Sequence, residues 1–455
     1  MIIYSIIQKS QLEGAHRLDA EYYQPEYLKI IEKIRSYHHT ERLADIATIT
    51  TGPAYSSEEM EENFDIPLAR IGDVTGKTDV ENWLRLSQKE YAKFGSKRIK
   101  NMDVLMTMTG DPPDVGKCYL ISVDGNETLA FNQRVAKLSA KNSPLYLFVY
   151  LNTNFGRLQA ERNALGIRQR NLSIKDVRNT IVAMPSEDKQ KQVTNLISDY
   201  LQRVTKSKSV YQEAENLLLE ELGFKDFQID DDVSFVVNLS DVQSANRIDA
   251  EYFQPKYERL LQQIRLKNSK KLGDLVTIKK GFEPGSEAYQ EEGKIFIRVS
   301  SLSKNGIEDK DQKYLDDGLY QILKKQYEPD VGEILLTKDA TPGVTYVLKE
   351  PIEGIISGGI LRLKSKGDVD CEYLALCINS LVGQMQAQRD AGGSIIAHWK
   401  PEQVKKLLIP VLSKTVQQKI AGLVRQSHEA RKKSKALLEE AKRKVEEMIE
   451  KNGKL

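Results

Sequence analysis

The chain is poor in the residues that build most catalytic centres. Of its 455 residues, three are cysteine and five are histidine. Cys118, Cys371 and Cys377 form no CxxC pair, and no two histidines stand at metal-ligand spacing. A zinc site and a disulfide scaffold are therefore not expected, and a reducing compartment is. No stretch approaches the ~18 apolar residues of a membrane-spanning helix. The opening MIIYSIIQKS has neither the basic flank nor the apolar run of a secretory signal, so a soluble, cytoplasmic protein is expected. There is no GxxxxGK[ST] loop and no glycine-rich strand–turn–helix to hold a cofactor. Net charge is only +2, so any contact with nucleic acid has to come from local patches. Charge itself is plentiful at 29% of residues, which points to long solvated helices.

What the chain does have is repetition. RLDAEYYQPEY at 17–27 returns as RIDAEYFQPKY at 247–257. LADIATITTG (43–52) matches LGDLVTIKKG (272–281), and IPLARIGDV (66–74) is echoed by IFIRVSSL (295–302). DVLMTMTGDPP (103–113) aligns with EILLTKDATPG (333–343), and AERNALG (160–166) with AQRDAGG (387–393). A repeat of this extent is a tandem duplication of one unit. The two copies agree in these framework blocks and differ between them, as two modules with different ligands would.

Each copy has two textures. Short β-like runs bounded by Gly, Pro and Asp come first, among them LARIGDV and DVLMTMT, then IFIRVSS and EILLT. A long helix follows. In 187–222 the apolar or small residues Val193, Leu196, Tyr200, Val204, Ser207, Tyr211, Ala214 and Leu218 recur in steps of three and four, with Gly223 placed as a C-cap. Residues 415–451 repeat the pattern with Ile420, Leu423, Ser427, Ala430, Ser434, Leu438, Ala441, Val445 and Met448. So narrow a stripe suits a helix–helix seam. The expected fold is α+β: two pseudo-symmetric mixed α/β domains with β-sheet cores, separated by two long antiparallel, coiled-coil-like helices. The expected boundaries are 1–186 and 224–412 for the domains, 187–223 and 413–455 for the helices.

Catalytic patterns are scarce. GDPPDVG (110–116) approaches the Asp-Pro-Pro-aromatic motif of DNA amino-methyltransferases, but Asp114 stands where the ring that stacks on the base should be. Glu187-Asp188-Lys189 has the letters of a nuclease but opens a helix, where acids suit the dipole. Basic residues suited to nucleic acid are Arg70, Arg85, Lys97, Arg98 and Lys117 in the first copy, and Lys279, Lys280, Arg298, Lys304, Lys338 and Lys400 in the second. The stretch GIRQRN adds Arg168, Gln169 and Arg170, since Arg and Gln contact base edges. Arg168 and Arg170 are also readable as ordinary surface charges, and Arg70 and Arg298 as partners of a buried carboxylate.

With the repeat, the two unlike heads and the two helices in place, the chain resembles the specificity subunits of type I restriction–modification systems. The resemblance covers almost the whole chain. It rests on NLSIKDVRNTIVAMPSEDKQKQV (171–193) with its second copy WKPEQVKKLLIPVLSKTVQQKI (399–420), on MDVLMT and GEILLT, and on DAEY(Y/F)QP. The family often has Pro-Leu-Pro and Glu-Gln before the helix, where this chain has AMPSEDKQ and IPVLSKTVQQ. The resemblance implies two target-recognition domains that each read half of a split, asymmetric double-stranded DNA site. It implies helices that set the spacer and dock two modification subunits. Restriction subunits would complete the complex, with S-adenosylmethionine, ATP and Mg in those partners and no cofactor in this chain. The competing readings are a stand-alone DNA adenine methyltransferase and a helical adaptor with two protein-binding heads.

Overall fold

In the computed structural model, the ATITT and VTIKK of the repeated LADIATITTG and LGDLVTIKKG become edge strands of two four-stranded sheets built to one plan. The structure describes residues 4–452 except 16, 62–63, 76–79, 81–82, 96–97, 112–113, 123–127, 167–168, 228, 230–231, 309–311 and 393–396. In chain order the first copy supplies α1 (Pro25–Arg35), β1 (Ala47–Thr51), β2 (Val104–Thr107), β3 (Cys118–Leu120), β4 (Val135–Ala140), α2 (Pro144–Asn152), α3 (Asn154–Asn163) and the long α4 (Glu187–Leu222). The second copy supplies α5 (Pro255–Arg265), β5 (Val276–Lys280), β6 (Ile334–Thr337), β7 (Thr345–Val347), β8 (Ile360–Ser365), α6 (Cys371–Asn379), α7 (Leu381–Asp390) and the long α8 (Lys414–Asn452). The strand orders are β1-β4-β2-β3 and β5-β8-β6-β7, antiparallel throughout. The central strands β2 and β6 are buried along their whole length, which is why VLMT and ILLT read as continuous apolar runs rather than alternating ones.

The chain divides into two units, Met1–Arg203 with Lys433–Leu455, and Val204–Lys432. Each unit therefore contains a segment of both long helices. In the first, Val193 and Ile197 from α4 join Ala441, Val445 and Ile449 from α8 in the core that also holds Val104, Met106 and Leu138 of the sheet. In the second, Tyr211, Ala214, Leu218 and Leu222 join Ile420, Ala421 and Val424 in the core that holds Ile334, Leu336 and Leu363. The first half of α4 thus meets the last half of α8, and the last half of α4 meets the first half of α8. Ser207 and Ser427 mark a close approach within the second unit: both are buried, and the Ser427 hydroxyl donates to the Ser207 carbonyl at 2.7 Å. Past Leu222, Gly223 takes φ +78, and the Phe224 N–H bonds back to the Leu219 carbonyl at 2.8 Å, a Schellman stop.

The duplication is clearest in buried polar groups. Tyr146 Oη donates to the Ala183 carbonyl at 2.6 Å, and Tyr373 Oη to the Pro410 carbonyl at 2.8 Å. The Gln159 amide bonds both ways to the backbone of Ile181, and Gln386 does the same to Leu408. A buried ion pair recurs with different letters, Lys137–Asp103 in the first unit and Arg362–Glu333 in the second. Gly52 and Gly281 hold equivalent close approaches: a Cβ there would lie 1.9 Å from the Phe131 carbonyl oxygen and 2.0 Å from that of Ser357. What differs is the second, smaller β layer. Strands Ile66–Ala69 and Arg85–Leu86 surround Trp83 in one unit, whereas Lys294–Ile297, Gly354–Ile356 and the helix Asp317–Tyr327 surround Phe296 in the other.

Leu218→Ala should cost about 2–5 kcal/mol in denaturant unfolding because it empties a fully buried site, whereas Lys206→Ala on the exposed face should stay within about 0.5 kcal/mol.

Candidate nucleic-acid interface

Strand register, rather than sequence distance, decides which basic residues share a surface. In the second unit Lys280 pairs with Leu361, and Ile360 pairs with Thr337. The C-terminal ends of β5 and β6 and the N-terminal end of β8 therefore form one end of the sheet. Lys279, Lys280 and Lys338 lie there, the first two exposed. Arg298 is brought to the same end by the pairing of Ile297 with Ile356. Lys400 is brought there by the bond from the Trp399 N–H to the Lys338 carbonyl at 2.7 Å. Lys304 is not part of this group. Its ammonium lies 4.8 Å from the Tyr211 ring on α4.

The equivalent end of the first sheet follows from Thr51↔Ala136, Val135↔Thr107 and the bond from the Thr107 N–H to the Lys117 carbonyl. Lys117 lies there, its ammonium 2.7 Å from Asp114. Arg70 follows Ala69, which pairs with Phe131. Its guanidinium sits 3.2 Å from the buried Asp73, so the carboxylate-partner reading holds for this arginine. Gln169 is exposed and Arg170 pairs with Gly110. The exposed Arg134 next to Val135 also belongs to this end and carried no signal in the sequence. Arg98 does not: its carbonyl accepts from Lys137 beside Asp103, toward the other end of the sheet. Arg85 lies in the smaller β layer and donates to the Asp65 carbonyl at 3.1 Å. Lys97 and Arg168 lie outside the described residues, as do Pro112 and Pro113 of the GDPPDVG stretch.

Of the seam residues, Val193, Tyr211, Leu218, Ile420 and Val445 are buried, while Leu196, Tyr200, Val204, Leu423 and Leu438 are half-buried. Ile197, Leu222, Val424 and Ile449 are buried too. The apolar face is wider than a seam because each helix segment also packs on its unit's sheet and helices.

The repeated RxDAEYxQP phrase forms the same cluster in both units. Arg17 pairs with Asp19 and lies 4.4 Å from the Tyr22 ring centroid, while Arg162 covers that ring at 3.8 Å. Arg247 pairs with Asp249 at 2.6 Å and lies 4.5 Å from the Tyr252 ring, with Arg389 at 4.4 Å. Arg162 and Arg389 come from the second repeated block, so one repeated phrase clamps the other. Cation–π contacts of this kind contribute ~0.5–2 kcal/mol each. Pro25 and Pro255 open α1 and α5 at N1. Leu18 and Ile248 within the phrase are left 87% and 89% exposed.

One further cluster lies inside the second unit. His428 on α8 is buried between the rings of Tyr211 and Tyr346, and its Nε2 lies 3.2 Å from the Lys304 carbonyl. Burial, with the Lys349 charge nearby, lowers its pKa to about 4. Glu372, 3.9 Å away, is pushed above the usual carboxylate range by burial. Among the described residues, no group of three or more His, Cys, Asp or Glu could hold a metal, and no helix is long and apolar enough to cross a membrane.

The architecture is that of a tandem-duplicated α/β protein in which each copy is completed by segments of two long helices. The chain belongs to the family of type I restriction modification DNA specificity domains, whose family model matches residues 39–216 and 266–440, one stretch per copy. It is similar to the specificity subunit of the Escherichia coli type I restriction enzyme EcoBI, 21% identical over 136 residues, which is 29% of this chain and 28% of that protein. Among solved structures it is similar to the S subunit of a type I restriction-modification system from M. genitalium. That match has a TM-score of 0.40 and 14% identity, and covers 91% of this chain and 95% of that one. The HsdS subunit from Thermoanaerobacter tengcongensis also matches, with a TM-score of 0.28 and 14% identity over 91% and 96% of the two chains.

The His428 site makes a pH prediction. A histidine whose folded pKa lies below its unfolded 6.5 contributes stability that is complete above 6.5 and is lost as pH falls toward 4. Between pH 7 and 4.5 the second unit should lose about 2–3 kcal/mol more in the natural protein than in His428→Gln. Glu372 titrates with the opposite sign but is common to both proteins. Equal losses in the two would contradict the assignment.

Proposed function

We propose that this chain is the DNA-recognition subunit of a type I restriction–modification complex, and that each of its two units reads one half of a split, asymmetric site in double-stranded DNA. The observation that carries the reading is the pairing of one framework with two sets of side chains. Equivalent strands, buried polar bonds and glycines hold equivalent sheet ends, and those ends carry Lys117, Arg134, Gln169 and Arg170 in one unit but Lys279, Lys280, Lys338 and Lys400 in the other. Framework fixes geometry while exposed side chains select bases, and lysine or arginine neighbours supply phosphate affinity. The domains are taken as 1–186 and 224–412, with the helices between and after them.

The helices act as the ruler in this reading. A 36-residue helix is about 54 Å long, about one and a half turns of B-DNA. Two modification subunits dock on the chain, and a partner that binds twice suits an exposed apolar side chain that is present twice, Leu18 and Ile248. S-adenosylmethionine, ATP and Mg belong to the partners, which supply methylation and cleavage in the cytoplasm. This chain chooses the site.

Two experiments test the proposal. Inserting one helical turn of four residues after Arg203 and again after Lys432 lengthens both paired helices by about 6 Å and keeps their faces nearly in phase. The preferred spacer should grow by about two base pairs, and an unchanged spacer would refute the ruler. Lys279→Ala, Lys280→Ala and Lys338→Ala should each lower the slope of log affinity against log salt by up to about 0.9. Unchanged slopes would remove this sheet end from the interface.

A further inference from the structure

The two sheet ends can be aligned residue by residue through their backbone pairing. In the first unit Asn171 pairs with Thr109 and bridges to Leu165, and the Leu172 N–H bonds to the Met108 carbonyl. In the second unit His398 bridges to Asp339 and to Gly392, and the Trp399 N–H bonds to the Lys338 carbonyl. Asn171 is therefore the counterpart of His398, and Thr109 of Asp339. In both units the two side chains bond to each other. Thr109 Oγ1 donates to Asn171 Oδ1 at 2.9 Å, and Asp339 Oδ1 lies 2.8 Å from His398 Nδ1. The position thus carries a coupled side-chain pair in each unit, neutral in one and ionisable in the other.

The pairs face outward in the same way. Asn171 is exposed and its partner Thr109 is buried. His398 is 61% exposed and its partner Asp339 is 23% exposed. In each unit an inner residue holds an outer one. Lys338 also pairs with Asp339, and Lys400 is two residues from His398. Ala340, next to Asp339, adopts φ +59, a left-handed backbone that alanine rarely takes and that concentrates at ligand sites.

Resting on the proposed DNA reading, we infer that this pair is a specificity determinant of each unit, and that the two units present opposite hydrogen-bonding groups to the base edge. The Asp339 carboxylate accepts from His398 Nδ1–H, which in the neutral ring leaves Nε2 as an outward acceptor. An acceptor selects a base with an exocyclic amino group in the major groove, adenine or cytosine. In the first unit the Thr109 hydroxyl occupies the Asn171 oxygen, and the amide N–H2 gives one hydrogen to the Gln169 carbonyl at 3.4 Å, which leaves its second hydrogen as the outward donor. A donor suits the O6 of guanine or the O4 of thymine.

The test is a graft. The double variant Asp339→Thr with His398→Asn installs the first unit's pair in the second, in a framework that already carries it elsewhere in the chain. The full chain is assembled with its modification subunits, and binding is selected from a pool of randomised duplexes at about pH 8. The preference at one base pair of the second half-site should move from an amino-bearing to a keto-bearing base by roughly tenfold, with the first half-site unchanged. If the lysine variants at 279, 280 and 338 lower the salt slope but the graft leaves every base preference intact, the inference fails while the DNA reading stands. If neither set changes binding, both fail. Retained binding to non-specific duplex shows that the grafted protein is folded.

Discussion

Neither long helix has an apolar face that it can leave in water, and neither copy of the duplicated domain closes its core without them. That mutual need is the constraint on which the rest of the structure depends. In the first unit Ile197 and Val445 are fully buried in the same core as Leu138 of the sheet, and in the second Leu218 and Ile420 share a core with Leu336. A helix anchored in this way at both of its segments is held in register by domain packing as well as by its partner helix. The buried Ser207–Ser427 contact adds a close approach that larger side chains would not permit.

A second constraint is the duplicated set of buried polar bonds. Tyr146 and Tyr373, Gln159 and Gln386, and the ion pairs Lys137–Asp103 and Arg362–Glu333 place equivalent backbone segments in equivalent positions. Buried groups of this kind are costly when unpaired, so they hold the framework while the smaller β layer and the sheet-end loops vary. This separation between a fixed frame and a changeable surface lets one fold present a Thr–Asn pair in one unit and an Asp–His pair in the other.

Much of this was legible in the sequence, and the limits have physical reasons. The repeat, the two long helices and the Gly223 stop could be read directly, because periodicity and capping are local properties. The seam reading included Leu196, which is half-buried against the first unit's core, but not the fully buried Ile197 beside it, because contact with the domain core widened the buried face. Lys137 and Arg362 were invisible as core residues, since a charge is taken as solvated until its partner on a neighbouring strand is known. Arg98 and Lys304 looked equivalent to Lys280 by composition, and only the fold separates them: Arg98 lies toward the other end of its sheet, and Lys304 lies against the Tyr211 ring. The RxDAEYxQP phrase was legible as important but not as a clamp. Its second arginine, Arg162 or Arg389, lies about 140 residues further along the chain, in the other repeated block.

The most direct measurement is the DNA sequence protected or methylated by the assembled complex, mapped across a genome or a randomised library. The account predicts a bipartite, non-palindromic site: two short specified segments separated by a spacer of constant length and free sequence. A single continuous site, or a palindrome in which both halves are the same, would contradict it.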